Sequence, residues 1–181
     1  EEDLDKAKAA LAAAGYPNGS GLPAITLSTQ VGNDPFEQIA ILIQDALRKI
    51  GVTATIEKLA FGPFNETEQA GQLQAFIADF LSWVRDPFYQ FSWTAQSGSP
   101  VNYPRFKSDR VDQLIAQQTL AEAGAERDAA STEVQGIVNQ AANYVYLAQP
   151  NWTIFTRADI DGYVYYNDEL PRFALLTRAG A

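Results

Sequence analysis

The stretch that decides the fold is residues 24–59, AITLSTQVGNDPFEQIAILIQDALRKIGVTATIEKL. Residues 24–30 alternate apolar and hydroxyl side chains, as a half-buried strand does. An Asp-Pro pair, with a Glu three residues after the Asp, predicts a helix capped by Asp34. Apolar residues then follow at helical spacing until Gly51, and residues 52–59 alternate again. The stretch therefore predicts a strand, a helix and a second strand.

The pattern continues beyond this stretch. Residues 63–70 predict a short helix with Phe64 as its inward anchor. Residues 73–83 form a near-continuous apolar run, which is typical of a central strand covered on both faces. Strands that alternate with helices in this way favour an α/β layer with parallel strands and right-handed crossovers.

The composition excludes several function classes. The 181 residues are 46% hydrophobic and 19% charged, which suits one domain or one large lobe with a core. A net charge of −9 argues against nucleic-acid binding. Without Cys or His there are no disulfides, thiolate or imidazole metal sites, or histidine-dependent nucleophiles. Any enzyme would have to use carboxylates, Lys or Tyr, and the carboxylates are dispersed, with no pair typical of a glycosidase or of a hard-metal loop. We therefore predict no catalytic residues, no metal site and no cofactor. The chain does not begin with Met, and we expect it to be part of a longer protein.

The first candidate site follows the apolar run. Residues 85–106 are rich in aromatic residues, Gly, Pro and Ser, have no period, and predict a long loop. Ligands of open α/β sheets bind just beyond the carboxyl ends of strands. Aromatic faces here would hold an organic solute, and a carboxylate would accept charge-assisted hydrogen bonds from an amino group, each about 1.5–3 kcal/mol. The candidate ligand-binding side chains are Trp83, Arg85, Asp86, Tyr89 and Trp93.

A structural role for the same residues stays open at this point. The aromatic side chains could fill the core, while Asp86 pairs with Arg85 or caps the following turn. A second candidate site is residues 97–103, SGSPVNY, where the amide of Asn102 could donate to a ligand. Its alternative is an ordinary tight turn before the next helix. Two helices are predicted after it, over residues 108–121 and 125–143.

Five segments, in this order, carry a resemblance to a known family. They are DLDKAKAALAAAGYPNG (residues 3–19), IQDALRKIGVTATIE (43–57), SWVRDPF (82–88), GSPVNYPRFKSDRVDQLI (98–115) and YVYLAQPNWTIFTRADIDGYV (144–164). Together they resemble motifs of the family 5 extracellular solute-binding proteins, the peptide and nickel receptors of bacterial ABC importers.

The resemblance implies an α/β, periplasmic-binding-protein-like lobe of class II (cluster C), with a mixed sheet flanked by helices. Residues 1–143 would be the second ligand-binding lobe. Residues 144–181 would be a crossover and a C-terminal segment whose strands return to the first lobe, which this chain lacks. The implied partners are a small-molecule or peptide ligand, the membrane subunits of an ABC permease, and that first lobe. The implied location is periplasmic or extracellular, at the membrane if the protein is a lipoprotein.

The resemblance also assigns roles to two residues. In peptide-binding members, an Asp three residues after a Trp holds the α-amino group of the ligand, and Trp83 and Asp86 fit these positions. The loop is shorter here, and Arg85 places a cation beside the carboxylate. An oligopeptide is the favoured solute, and an opine-like or sugar-derived solute is the alternative. A carboxylate-based hydrolase and a stand-alone interaction module are the alternatives from other classes.

Overall fold

The computed structural model describes residues 3–81, 83–149, 151, 153–166, 168 and 170–178. The chain divides into two compact units, Glu1–Phe80 and Leu81–Ala181. The predicted boundary between residues 143 and 144 refers to a lobe outside this chain, and it stays a prediction.

The first unit has an alternating order of helices and strands. Its elements are α1 (Leu4–Ala13), a 3-10 turn (Pro17–Gly19), β1 (Ile25–Gln30), α2 (Asp34–Lys49), β2 (Ala54–Leu59), α3 (Phe61–Gln69) and β3 (Ala75–Phe76). The strands form one sheet in the order β2-β1-β3, and both pairings are parallel. The predicted α/β layer with parallel strands is thereby confirmed.

Helix α2 covers one face of this sheet. Leu27 of β1 lies beside Ile56 of β2 and Ala75 of β3 in the strand register. All three pack in one apolar cluster with side chains of α2, of which Ala40 is fully buried. The helix is amphipathic because its apolar residues recur every three or four positions, and this spacing directs them to the sheet.

Helix α3 supplies a second apolar contact, to strand β3. Phe64 of α3 is fully buried and meets Phe76 of β3 edge to face, with ring centroids 6.1 Å apart. On β1, the Ser28 hydroxyl donates to the carboxylate of Glu57 on β2 at 2.9 Å. The inward role predicted for Phe64 is confirmed.

The prediction of a central strand over residues 73–83 is wrong. Strand β3 covers only Ala75–Phe76 and lies at the edge of the sheet. Ile77 donates one more bond to the Ser28 carbonyl, after which the chain leaves the sheet, and Phe80 and Leu81 are exposed. The central strand is β1, whose consecutive residues Leu27 to Thr29 are buried. An apolar run shows that a segment is hydrophobic. Whether that segment becomes the central strand depends on which strands pair on either side of it.

The start of α2 also differs from the prediction. Asn33, rather than Asp34, is the N-cap, and its side chain accepts from the Phe36 amide at 3.3 Å. Glu37 still reaches back, and it accepts from the Gly32 amide at 3.2 Å. The cap lies one residue earlier because Asp34 already has helical backbone geometry.

Three helices make up most of the regular structure of the second unit. Its elements are α4 (Pro87–Thr94), α5 (Asp109–Gln118), α6 (Ala125–Ala141), β4 (Ile160–Asp161), a 3-10 turn (Phe173–Leu175) and β5 (Thr177–Arg178). The three helices pack around a core that includes the fully buried Phe88, Val111 and Val134. Helix α4 corrects the prediction of an unbroken loop over residues 85–106. Its eight residues show too few apolar repeats for the period to be recognised.

The two short strands of this unit pair antiparallel with each other and form a separate sheet. Within the described residues, the three-stranded sheet is therefore purely parallel rather than mixed. The predicted return of the C-terminal strands to another lobe stays a prediction. None of the helices in the described part of the chain has the length and apolar character that crossing a membrane requires.

Two turns of the first unit touch backbone to backbone. Gly19 and Gly51 both have positive φ, at +72° and +85°. A Cβ atom on Gly51 would lie 2.0 Å from the carbonyl oxygen of Asn18, and one on Gly19 would lie 2.1 Å from that of Gly51. No L side chain fits at either position, because the atoms it would clash with belong to the backbone of the facing turn and positive φ disfavours it as well.

Glu68 is a carboxylate in the interior of the first unit. It lies one helical turn after Phe64 on α3, and 7% of its surface is exposed. None of the described hydrogen bonds or ion pairs reaches its carboxyl group. Burial therefore raises the pKa of Glu68, because the charged form loses its hydration.

We predict that Gly51→Ala destabilises the protein by at least about 1 kcal/mol more than Gly15→Ala, because it adds a steric clash to the strain of positive φ. Gly15 is the matched control, since its φ is +91° and a Cβ there meets nothing within 4 Å. Urea unfolding of the three proteins measures both effects. Equal losses for the two variants would contradict the backbone contact.

We predict that Glu68→Gln raises the unfolding midpoint at pH 7 and has no effect near pH 4. A carboxyl with a raised folded-state pKa contributes stability below its unfolded pKa, and this contribution is lost as the pH rises. Gln keeps the shape and stays neutral. Urea midpoints at the two pH values test this, and an increase of equal size at both would exclude the charge as the cause.

Candidate functional site

Residues 83–85 form an exposed segment directly before helix α4. The side chains of Trp83, Val84 and Arg85 all face solvent, and 60% of the Trp83 surface is exposed. The backbone turns at its end, where the amide of Asp86 donates to the Val84 carbonyl at 2.8 Å. The indole and the guanidinium thus stand free of the core at the entrance to the helix. We call these residues segment 83–85.

Asp86 caps helix α4. Its Oδ1 atom accepts from the backbone amides of Phe88 at 2.8 Å and Tyr89 at 3.3 Å. Pro87 at the first helical position lacks an amide that would need a partner. The capping role that the sequence left open as an alternative is therefore present.

The carboxylate of Asp86 also forms an ion pair across the unit. One Nη2 atom of Arg127, on helix α6, donates to Oδ1 at 2.9 Å and to Oδ2 at 2.8 Å. The side chain of Arg127 is 11% exposed and that of Asp86 is 30% exposed. The structural alternative paired Asp86 with the neighbouring Arg85, and the cation in the structure is Arg127 instead.

Arg127 makes two more contacts that fix its position. Its Nε donates to the backbone carbonyl of Gln118, at the end of α5, at 2.8 Å. Its guanidinium lies over the ring of Phe88, 4.9 Å from the centroid, in a cation–π geometry. One side chain thereby joins α4, α5 and α6.

Sequence reasoning missed Arg127, although one signal pointed to it. It stands in the first turn of α6, between Glu126 and Asp128. The helix dipole places partial positive charge at the N-terminus of a helix. It therefore favours the two acidic neighbours and disfavours a cation such as Arg127. A basic residue in this position suggests a specific partner elsewhere.

The electrostatics of Asp86 reflect two opposed effects. Partial burial works to raise the pKa of Asp86, while the guanidinium of Arg127 and the amides of Phe88 and Tyr89 stabilise the anion. The hydrogen bonds outweigh the burial and hold the pKa of Asp86 below its ordinary value. The carboxylate is thus ionised at neutral pH.

Tyr89 and Trp93 lie one turn apart on α4 and form a tilted ring pair with centroids 6.0 Å apart. Trp93 is 39% exposed and lines a cavity of about 240 Å³, together with Ser92, Gln96, Ser99 and Pro100. This volume is below the range of whole-ligand pockets and suits one side chain or ring.

Asn102 shapes the loop that borders this cavity. Its Nδ2 donates to the carbonyls of Gln96 at 3.0 Å and Phe106 at 2.8 Å, and its Oδ1 accepts from the Phe106 amide at 3.0 Å. The side chain is buried, and both amide hydrogens are used inside the loop. A direct bond from Asn102 to a ligand stays a prediction, and in this geometry the residue holds the loop in shape.

A second cavity, of about 620 Å³, lies between the end of α5 and the start of α6. Arg127 lines it together with Gln118 and Glu126. The described residues contain no group of three or more acidic side chains placed to hold a metal ion.

The comparisons with known proteins agree on one family. A family model described as bacterial extracellular solute-binding proteins, family 5 middle, matches residues 1–103, which is more than half of the chain. The probable D,D-dipeptide-binding periplasmic protein DdpA of Escherichia coli is 28% identical over 137 residues, covering 74% of this chain and 27% of the relative. The oligopeptide-binding protein AppA of Bacillus subtilis is 27% identical over 181 residues, covering 92% and 33%.

A solved structure extends the likeness to the fold. The periplasmic binding protein DppA of Helicobacter pylori, in complex with the peptide STSA, superposes with a TM-score of 0.81 and 29% identity. The match covers 98% of this chain and 35% of that protein. The α/β fold is thus that of periplasmic peptide-binding proteins, and the chain spans about a third of the length of the relatives it matches. On this match of fold and sequence, the chain belongs to the family 5 bacterial extracellular solute-binding proteins.

Proposed function

We propose that the chain is the C-terminal portion of the substrate-binding component of a bacterial ABC importer. The complete protein would capture an organic solute, preferably an oligopeptide, outside the cytoplasmic membrane and deliver it to the permease. The family match over residues 1–103 carries this proposal. The dipeptide and oligopeptide specificities in the names of DdpA and AppA, and the peptide bound to DppA, support the choice of a peptide. The role is solute binding rather than catalysis.

We further propose that residues 144–181 pack against a first lobe outside this chain. Large apolar side chains in this segment face solvent, among them Val145, Phe155 and Phe173, with Phe155 93% exposed. Leaving so many of them in water forgoes the free energy of burial, about 25 cal/mol per Å². The relatives are about three times as long as this chain, which leaves ample sequence for a lobe that covers them.

The solute-binding surface in this proposal is built around segment 83–85. Trp83 offers an exposed aromatic face, and the cavity beside Trp93 would take a side chain of the solute. The Oδ2 atom of Asp86 accepts one hydrogen bond in the structure, so it keeps the capacity to accept another from an amino group. Closure of a second lobe over this surface would bury the solute and favour the closed state.

A second candidate is a receptor for a non-peptide solute, opine-like or sugar-derived. The observation that favours it is the charge balance at Asp86. Arg127 already pairs with this carboxylate, and the exposed Arg85 stands beside it. A surface with this balance suits a solute that carries an anionic group as well as an amino group.

Calorimetry of the complete protein distinguishes the two candidates. One series titrates mixed di- to pentapeptides, and the other titrates opine-like and sugar-derived solutes. Peptide binding supports the first proposal. Binding confined to the second series supports the alternative, and turnover of any solute would indicate an enzyme instead.

We predict that Trp83→Ala weakens solute binding by about 1–3 kcal/mol, because the solute loses an aromatic contact surface. Leu42→Ala is the matched control, since Leu42 is 68% exposed and lies in the middle of α2 rather than beyond the carboxyl end of a strand. Calorimetry measures the affinity of each variant. Unchanged affinity in Trp83→Ala would place the indole outside the site.

We predict that Asp86→Asn lowers both solute affinity and stability. Asn can still cap α4, but the guanidinium of Arg127 loses its counter-charge. The pKa of Asp86 is lower in the folded protein than in the unfolded chain. Such a carboxyl stabilises the folded state above the pKa it has in the unfolded chain, and this stabilisation is lost as the pH falls through the pKa of the folded state. The stability difference from wild type should therefore be largest at neutral pH and shrink below pH 4.

Asp109→Asn serves as the control for this variant, because Asp109 is an exposed residue in the first turn of α5. Urea midpoints across the pH range and calorimetry at pH 7 give the two readouts. Undiminished solute binding in both variants would remove Asp86 from the binding site, whatever its effect on stability.

A further inference from the structure

We propose that Arg127 is a positioning residue for solute binding: it holds segment 83–85 at the entrance to α4 without contacting the solute. This inference rests on the proposed function, since it assigns the segment to the binding surface. Arg127 lies on a different helix from the segment and determines where the binding surface lies.

Asp86 determines the position of segment 83–85. The Asp86 amide binds the Val84 carbonyl at 2.8 Å, and the Asp86 side chain caps the helix that follows. A movement of Asp86 would thus carry Trp83 and Arg85 with it.

Helix α4 depends on tertiary contacts for its position. It has eight residues, fewer than an isolated helix needs to be stable in water. Its position must come from tertiary contacts. The buried ring of Phe88 is one such contact, and the ion pair of Asp86 with Arg127 is another.

Arg127 is itself anchored by contacts other than Asp86. It stands on α6, a helix of 17 residues whose Ala130, Val134 and Val138 lie in the core. The hydrogen bond to the Gln118 carbonyl and the cation–π contact with Phe88 hold the guanidinium in place independently of Asp86. Lys would supply the charge but not these further contacts, because its ammonium is a compact point charge on a flexible stem.

The test compares three variants of the complete protein: Arg127→Gln, Arg127→Lys and the control Arg110→Gln. Arg110 suits this purpose because it makes a two-point ion pair with Glu133 between α5 and α6, with bonds of 2.6 and 2.8 Å, and it is exposed. Hydrogen exchange of the ligand-free protein, resolved to residues 83–95, reports how firmly the segment is held. Calorimetry with the peptide mixture reports solute affinity.

We expect Arg127→Gln to accelerate exchange in residues 83–95 by about tenfold, with no change in β1 or α2, and to weaken solute binding by about tenfold. Arg127→Lys should recover part of both losses. Arg110→Gln should leave both within about twofold of wild type, because exposed ion pairs contribute little. A merely structural role would lower the unfolding midpoint without this local exchange pattern or the partial rescue by Lys.

The inference is overturned if exchange in residues 83–95 is unchanged in Arg127→Gln, or if exchange rises there while solute affinity stays at the wild-type value. It is also overturned if affinity falls without a change in exchange, since Arg127 would then contact the solute directly. Wild-type protein that binds no solute would refute the proposed function. The exchange comparison would still decide whether Arg127 holds the segment.

Discussion

The second unit depends on one carboxylate that serves two partners. Asp86 ends the exposed segment, caps α4 through Oδ1 and neutralises Arg127 of α6. The two sets of interactions act in the same direction, because the amides and the guanidinium all stabilise the ionised form of Asp86. The short helix α4 can therefore carry Trp93 and the cavity beside it. A neutral residue at position 86 could cap the helix, but it would leave a largely buried cation without its counter-charge.

The parts of the fold that could be predicted from sequence are those that local patterns specify. The strand–helix–strand unit and the inward Phe64 follow from spacing and end signals that lie within a few residues of one another. The position of β1 at the centre of the sheet could not be predicted in this way, because it depends on two parallel partners from later in the chain. Helix α4 could not be predicted, because it has only eight residues and its Pro, Ser and clustered aromatic residues do not show a helical period.

The candidate site shows the same division. The aromatic residues and Asp86 were recognised from composition and from their place after the apolar run. The ion pair with Arg127 was not, since its two residues are 41 positions apart in sequence. The sequence signal for this pair is the position of Arg127 in the first turn of α6, where the helix dipole disfavours a cation. The amide of Asn102 makes it a candidate from sequence, but its bonds to Gln96 and Phe106 depend on the fold of the loop.

The contact between Gly19 and Gly51 has a consequence for how related sequences can diverge. Two turns from separate parts of the chain touch through their main chains, so an inserted residue in either would separate them. We expect homologues to conserve the lengths of both turns together.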